Sequence, residues 1–263
     1  MSIIPENPIK AALRRGEVVP GIWCHTGSPD LAEAAARLGW PAVYVDLEHG
    51  PIGLDQAVHI HRAVLSAGGD VVLRVPSNDP VVLKHALDRG FRTIMVPMVN
   101  SAAEAEALAN ACRYPPAGER GYATTVVRAS GYGVMEDYLA RANDELLLIA
   151  QIEHADAVPR IAEIAAVPGI DALFIGPNDL AGSVGKLERL GEPDVMALCE
   201  TVERETLASG AFFGSILRPG RSYGDLVKVG AQLIAGPSDV ALFVEGAREA
   251  LAGFAAEGTA AQA

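Results

Sequence analysis

Positive charge, cysteine, aromatic side chains and long apolar runs are all scarce in this chain. Twenty-one Lys and Arg residues face 33 Asp and Glu, a formal net charge of −12. That balance argues against a nucleic-acid partner, because too few cations are present to displace phosphate counterions, and against docking on an anionic membrane. It leaves an anionic substrate open, since one Arg or a bound metal can reverse the sign inside a cleft. No run of about eighteen apolar residues is present, so no spanning helix is expected. The opening MSIIPENPIKAALRRGE carries charges and prolines where a signal peptide needs an apolar run. Cys24, Cys112 and Cys199 are odd in number and lack metal-ligand spacing. They read as small buried hydrophobes in a reduced cytoplasm, with a catalytic thiol as the alternative. Aromatics are 5% of a chain that is half hydrophobic, which suits a soluble globular protein.

What is present is alternation. Strand-like runs at 19–26, 42–48, 70–75, 93–99, 146–153, 172–176, 212–217 and 232–236 are separated by helical patterns such as SPDLAEAAARLG. Continuous apolar strands joined by helices imply a parallel sheet covered on both faces. Eight units in a chain of 263 residues match a (β/α)₈ barrel, with an open doubly wound sheet as the alternative. The first turn, HTGSPD, lacks a dinucleotide-binding glycine pattern. No linker divides residues 1–255, and 256–263 read as a flexible tail. The connection 113–145 is long enough to suggest a functional or interface role.

In a barrel, chemistry belongs at the carboxyl ends of the strands, and ionisable residues gather there. VYVDLEHGP ends one strand in Asp46, Glu48 and His49; DVVLRV ends in Arg74; LLLIAQIEH ends in Gln151, Glu153 and His154; FIGPND leads to Asn178 and Asp179. His25 follows the first strand and Arg218 the seventh, and the amino ends show little beyond Asp70. Glu153 and Asp179 end consecutive strands and could balance a divalent cation. The alternatives are pairing with a buried Arg or, for Asp179, capping the following helix. An all-oxygen site favours Mg²⁺ or Mn²⁺, with Co²⁺ or Zn²⁺ possible. Arg74 suits a carbonyl oxygen that becomes an enolate, or an internal counter-ion. Backbone N–H groups near Asn178 and Asp179 could hold a carboxylate, so a 2-oxo acid would satisfy the whole set. His49 beside Asp46 reads as the acid–base pair, against the alternative of a surface-loop histidine. A Schiff-base mechanism lacks its lysine, because Lys10, Lys84, Lys186 and Lys228 all fall outside the strands.

Taken in order, VDLEHGP, LRVPSNDPVVLKHALDRG, IMVPMVNSAAEAE, CRYPPAGERG, YLARAND, QIE and FIGPNDLA resemble the HpcH/HpaI family of metal-dependent, class II pyruvate aldolases over roughly residues 8–250. The resemblance implies a (β/α)₈ barrel, a divalent metal on Glu153 and Asp179, and Arg74 at the enolate oxygen. It implies His49 with Asp46 in proton transfer, supported by Asp88 from a neighbouring subunit. Gln151 and Glu48 then stand near the metal, and Trp23 forms a pocket wall. The activity implied is reversible cleavage of a 4-hydroxy-2-oxo acid to pyruvate and an aldehyde. The assembly implied is a homo-hexamer, a trimer of dimers exchanging a C-terminal helix. Oxaloacetate decarboxylation, a non-catalytic binding barrel and a CoA-ester lyase are the alternatives. His25, Arg218 in LRPGRS and the loop YATTVVRASGYG depart from the family pattern. They suggest that Arg218 or His25 meets a polar or anionic acceptor.

Overall fold

Strands that are apolar on both faces must be covered on both, and a closed parallel sheet wrapped in helices does this. The computed structural model describes residues 3–260. Among them, eight strands close a parallel barrel in chain order. They are β1 (Val19–Cys24), β2 (Ala42–Asp46), β3 (Asp70–Arg74), β4 (Thr93–Val96), β5 (Leu147–Ile152), β6 (Ala172–Ile175), β7 (Phe212–Ile216) and β8 (Leu233–Ser238). β8 pairs back onto β1, so the open doubly wound alternative is excluded. Most strands stop a residue or two before the apolar run does, because the final residues turn into the loops that carry the ionisable groups.

Two-residue periodicity sorts each strand. Ala42 and Tyr44 of β2, Val72 of β3, Leu147 and Ile149 of β5, and Ala172 and Phe174 of β6 share the inner cluster. Their neighbours Val43, Val45, Leu73, Leu148, Ile152 and Ile175 pack outward against the helices. Gly21 and Gly214 make room for the large rings inside. A Cβ on Gly21 would lie 2.2 Å from the Tyr44 ring, and one on Gly214 would lie 2.4 Å from that of Phe174. Continuing the inward series by two residues reaches Asp46, Arg74 and Gln151. The site is thus the polar end of the barrel's own core.

The amino end is closed. The Asn7 side chain caps the helix Pro8–Arg14, which inserts Ile9 and Leu13 into the inner cluster. Polar groups are more numerous here than the sequence suggested, but they satisfy one another. Lys10 Nζ meets Asp171 at 2.8 Å, Glu145 accepts from the Asn7 N–H at 2.7 Å, and Asp70 pairs with Arg92 at 3.4 Å. Polarity therefore occurs at both ends, and what distinguishes the carboxyl end is that its ionisable groups, some of them paired, line an open cavity.

The long connection 113–145 is tied down on the flank of the barrel. Arg120 bonds Asp88 at 2.8 Å, Arg128 donates to the Arg89 carbonyl at 2.6 Å, and Asp137 accepts from the Ile4 N–H at 2.8 Å. None of its residues lines the central cavity. The last helix, Asp239–Ala260, runs into the segment expected to be a flexible tail; 261–263 of that segment lie outside the described residues.

Candidate active site

A cavity of about 550 Å³ opens at the carboxyl end of the barrel, lined by Trp23, His25, His49, Arg74, Gln151 and Glu153, and beyond them by Asn178, Asp179 and Leu217. This is within the usual size for a small-molecule site. No helix among the described residues is long and apolar enough to cross a membrane.

Asp46 organises one wall. It is fully buried and accepts two hydrogen bonds from Arg74, 2.9 Å from Nε and 2.7 Å from Nη2. It also takes the Glu48 N–H at 3.0 Å and faces His25 Nε2 at 3.2 Å. Burial alone would raise its pKa. The bonds from His25 and Arg74 outweigh that and hold the carboxyl well below the usual carboxylate range. Arg74 Nη1 lies 3.2 Å from Glu48, and its guanidinium carbon sits 4.7 Å from the centre of the Trp23 ring. Burial lowers the Arg74 pKa, but Asp46 wins and raises it. A guanidinium locked in this way is preorganised for charge that develops on a substrate oxygen.

The opposite wall is acidic. Glu153 is buried and accepts from the Met98 N–H at 2.7 Å and from Gln151 Nε2 at 3.1 Å. Burial pushes its carboxyl up to about 7 against the Met98 bond, and the Glu48 and Asp179 carboxylates push the same way. The helix Pro177–Ser183 starts on Gly176, so Asp179 lies inside its first turn and does not cap it. The sequence alternative of a structural cap therefore falls away. Gly176 is a cradle for Glu153, since a Cβ there would lie 2.2 Å from Glu153 Oε2. The buried Gln151 Oε1 has no hydrogen-bond partner.

These features fit a divalent cation. A buried carboxylate such as Glu153, pushed up by burial and by acidic neighbours, is relieved by a cation beside it, and the unpartnered amide oxygen is a further oxygen donor. No group of three or more His, Cys, Asp or Glu side chains is arranged to hold a metal among the described residues. With two carboxylates as its protein ligands, a cation on Glu153 and Asp179 would keep positions open for water and substrate.

Two expectations need correction. Asp46 does not partner the His49 ring: it receives the His49 backbone N–H at 3.4 Å, while the ring is 65% exposed with Glu48 at 3.7 Å. Arg218 does not face the cavity. Its guanidinium is 4% exposed, bonded to Glu203 and at 2.8 Å to Ser215, because the chain doubles back through an Arg218–Arg221 bridge. Asp88, expected to act from a neighbouring subunit, lies outside the cavity of its own chain and is bonded to Arg120. The cysteines are buried and free. Burial pushes Cys24 up to about 11 and Cys112 up to about 12, which removes the catalytic-thiol alternative for both. The Asp46–His25 contact was not foreseen. Parity held the signal: His25 follows Gly21 and Trp23 by twos, and β1 lies beside β2 with Trp23 level with Tyr44.

A (β/α)₈ barrel with a fixed guanidinium, two imidazoles and opposed carboxylates at its carboxyl end is the architecture of a barrel enzyme. Residues 20–246 match the family model described as HpcH/HpaI aldolase/citrate lyase. The chain is 42% identical over 248 residues to a 4-hydroxy-2-oxovalerate aldolase from Novosphingobium aromaticivorans, covering 94% of each. It is 35% identical over 254 residues to a 2-keto-3-deoxy-L-rhamnonate aldolase from Shigella sonnei, covering 97% of this chain and 95% of that one. A solved HpcH/HpaI family structure from Burkholderia cenocepacia superposes with a TM-score of 0.89 at 34% identity, covering 94% of this chain and 99% of the other. The chain belongs to the HpcH/HpaI aldolase/citrate lyase family and is a carbon–carbon lyase.

Proposed function

We propose that the protein catalyses reversible, metal-dependent cleavage of a 4-hydroxy-2-oxo acid to pyruvate, or a related 2-oxo acid, and an aldehyde. The observation that carries this reading is the placement of Arg74, locked on Asp46, in the same cavity as the carboxylates of Glu153 and Asp179. Glu153 and Asp179 would hold the cation, Mg²⁺ or Mn²⁺ by donor chemistry with Co²⁺ or Zn²⁺ as alternatives. When bound it supplies Lewis acidity to the 2-oxo group.

The chain's own groups do the rest. Arg74 faces the C2 oxygen and stabilises the charge it gains as the C3–C4 bond breaks. Trp23 and Phe174 form apolar walls, while Gln151 and Asn178 offer polar contacts to the acid end. His49 lines the cavity and serves proton transfer, with Asp88 of a second subunit as its support. We place the enzyme in the cytoplasm, where its buried free thiols stay reduced.

We also propose that the last helix is exchanged between subunits of a homo-hexamer. Its Phe243, Leu251 and Phe254 are more than 70% exposed. An apolar groove of about 410 Å³, lined by Pro20, Trp40, Tyr223 and Ile234, lies over the outer face of β8 and β1. A barrel's eighth helix ordinarily covers that face, and the same helix of a second copy fits it.

The test is exchange of the pyruvate methyl protons in D₂O, followed by NMR on metal-free protein and after adding Mg²⁺ or Mn²⁺. Metal-dependent exchange that disappears in Glu153→Ala and slows in Arg74→Ala is the expected result. Folded, metal-loaded protein that neither exchanges the methyl protons nor cleaves any 4-hydroxy-2-oxo acid would overturn the reading.

A further inference from the structure

Cleavage of a 4-hydroxy-2-oxo acid moves protons at two separate atoms, the C4 hydroxyl and C3. The cavity correspondingly holds two imidazoles, and only one of them is fixed by a carboxylate of this chain. His25 Nε2 lies 3.2 Å from the fully buried Asp46, whereas the His49 ring is 3.7 Å from Glu48 and largely exposed. The His25 ring stacks on Trp23 at 5.3 Å with 15° between the planes. Its backbone N–H is tied to Asp239 at 2.9 Å, which fixes the loop that carries it.

Asp46 is held as the carboxylate, an acceptor without a proton to give. In the neutral imidazole the ring proton therefore sits on Nε2, facing Asp46, and Nδ1 carries the lone pair. Among the described residues no partner occupies Nδ1, and the side chain is 32% exposed on the cavity wall. A carboxylate holding one imidazole nitrogen while the other faces substrate is the arrangement of a general base.

Resting on the aldolase reading above, we infer that His25, fixed by Asp46, is the residue that takes and returns the proton of the C4 oxygen. In cleavage the C4 O–H proton passes to His25 Nδ1, and the O–H bonding pair becomes the second bond of the aldehyde carbonyl. The C3–C4 pair moves between C3 and C2, leaving an enolate whose oxygen faces Arg74. A proton from water, relayed by His49, completes pyruvate at C3, and His25 returns its proton to solvent. Condensation runs the same steps backward.

The inference separates the two proton transfers, and so does its test. His25→Gln keeps an amide N–H for Asp46 but cannot carry the proton; His25→Ala removes both. Cleavage of a 4-hydroxy-2-oxo acid by the metal-loaded wild-type enzyme comes first, since failure there condemns the aldolase reading and leaves His25 unaddressed. With the wild type active, His25→Gln should lose about 100-fold in kcat for cleavage while pyruvate methyl exchange stays within about threefold. Added imidazole should restore part of the cleavage rate in His25→Ala. Near-wild-type cleavage in His25→Gln would show that the residue merely orients Asp46. A parallel loss of exchange and cleavage in that variant, or no response of His25→Ala to imidazole, would likewise overturn the inference.

Discussion

At the residue scale, the site is built from groups whose partners were chosen to leave one capacity unspent. Glu153 binds one backbone and one side-chain donor, yet its acidic neighbours leave it short of positive charge. Glu153→Gln should cut turnover by at least about 10³-fold, the upper range for losing one electrostatic contact. Isothermal titration with Mn²⁺ should show metal binding weakened in parallel. Gly176→Ala tests the cradle: the added methyl must displace Glu153, and strain of about 1–3 kcal/mol should lower the urea midpoint together with metal affinity. Asp46→Asn removes the bidentate carboxylate from the buried Arg74 guanidinium and leaves it Glu48 at 3.2 Å. Stability should fall, by less than the about 3–5 kcal/mol that a fully orphaned buried charge costs, and a chemical denaturation curve would read the loss directly. Much of this set was legible from strand parity, because Asp46, Arg74, Gln151 and Glu153 extend the inward series of their strands. Arg218 was not, because its direction depends on a hairpin-like reversal that lies beyond the end of β7.

At the element scale, the informative contact is far from the cavity. His61, on the helix Leu54–Ser66, is buried between Asp70 at 3.6 Å and Arg128 at 3.1 Å, and its ring stacks on Phe91. Arg128 donates to Nδ1, so the ring proton sits on Nε2 facing Asp70. Burial lowers the His61 pKa below its ordinary 6.5, and the Arg128 and Arg92 charges push the same way against Asp70. The unfolded chain therefore binds a proton before the native state does. Stability is fully present above pH 6.5 and is lost as pH falls below it, toward the native value. Urea midpoints measured from pH 7.5 to 5 should decline, and His61→Gln should decline less steeply over that interval. Since Arg128 belongs to the connection 113–145, that segment should show the first rise in hydrogen exchange as pH falls. The strands themselves were legible because each carries an apolar run that a parallel sheet must bury. The order within 113–145 was not, since it rests on single long-range bonds such as Arg120–Asp88 that leave no periodic trace.

At the scale of the whole molecule, the last helix offers the plainest test. With Phe243, Leu251 and Phe254 outward, a lone chain would present an apolar stripe to water, an arrangement that marks an interaction surface. Light scattering after size exclusion should report a hexamer for the wild type, and Phe243→Glu with Phe254→Glu should shift it toward monomer. The closed amino end has a separate consequence, for the order of events in turnover. Ile9 and Leu13 stopper the barrel below, so everything that enters the cavity leaves by the same mouth. Gln151, Glu153 and Arg74 form its sheltered floor, whereas His25, Leu217 and Ser238 stand nearer solvent. In the proposed reaction the aldehyde formed at the mouth would depart before the pyruvate beneath it. Steady-state cleavage should accordingly show pyruvate as a competitive product inhibitor and the aldehyde as a noncompetitive one.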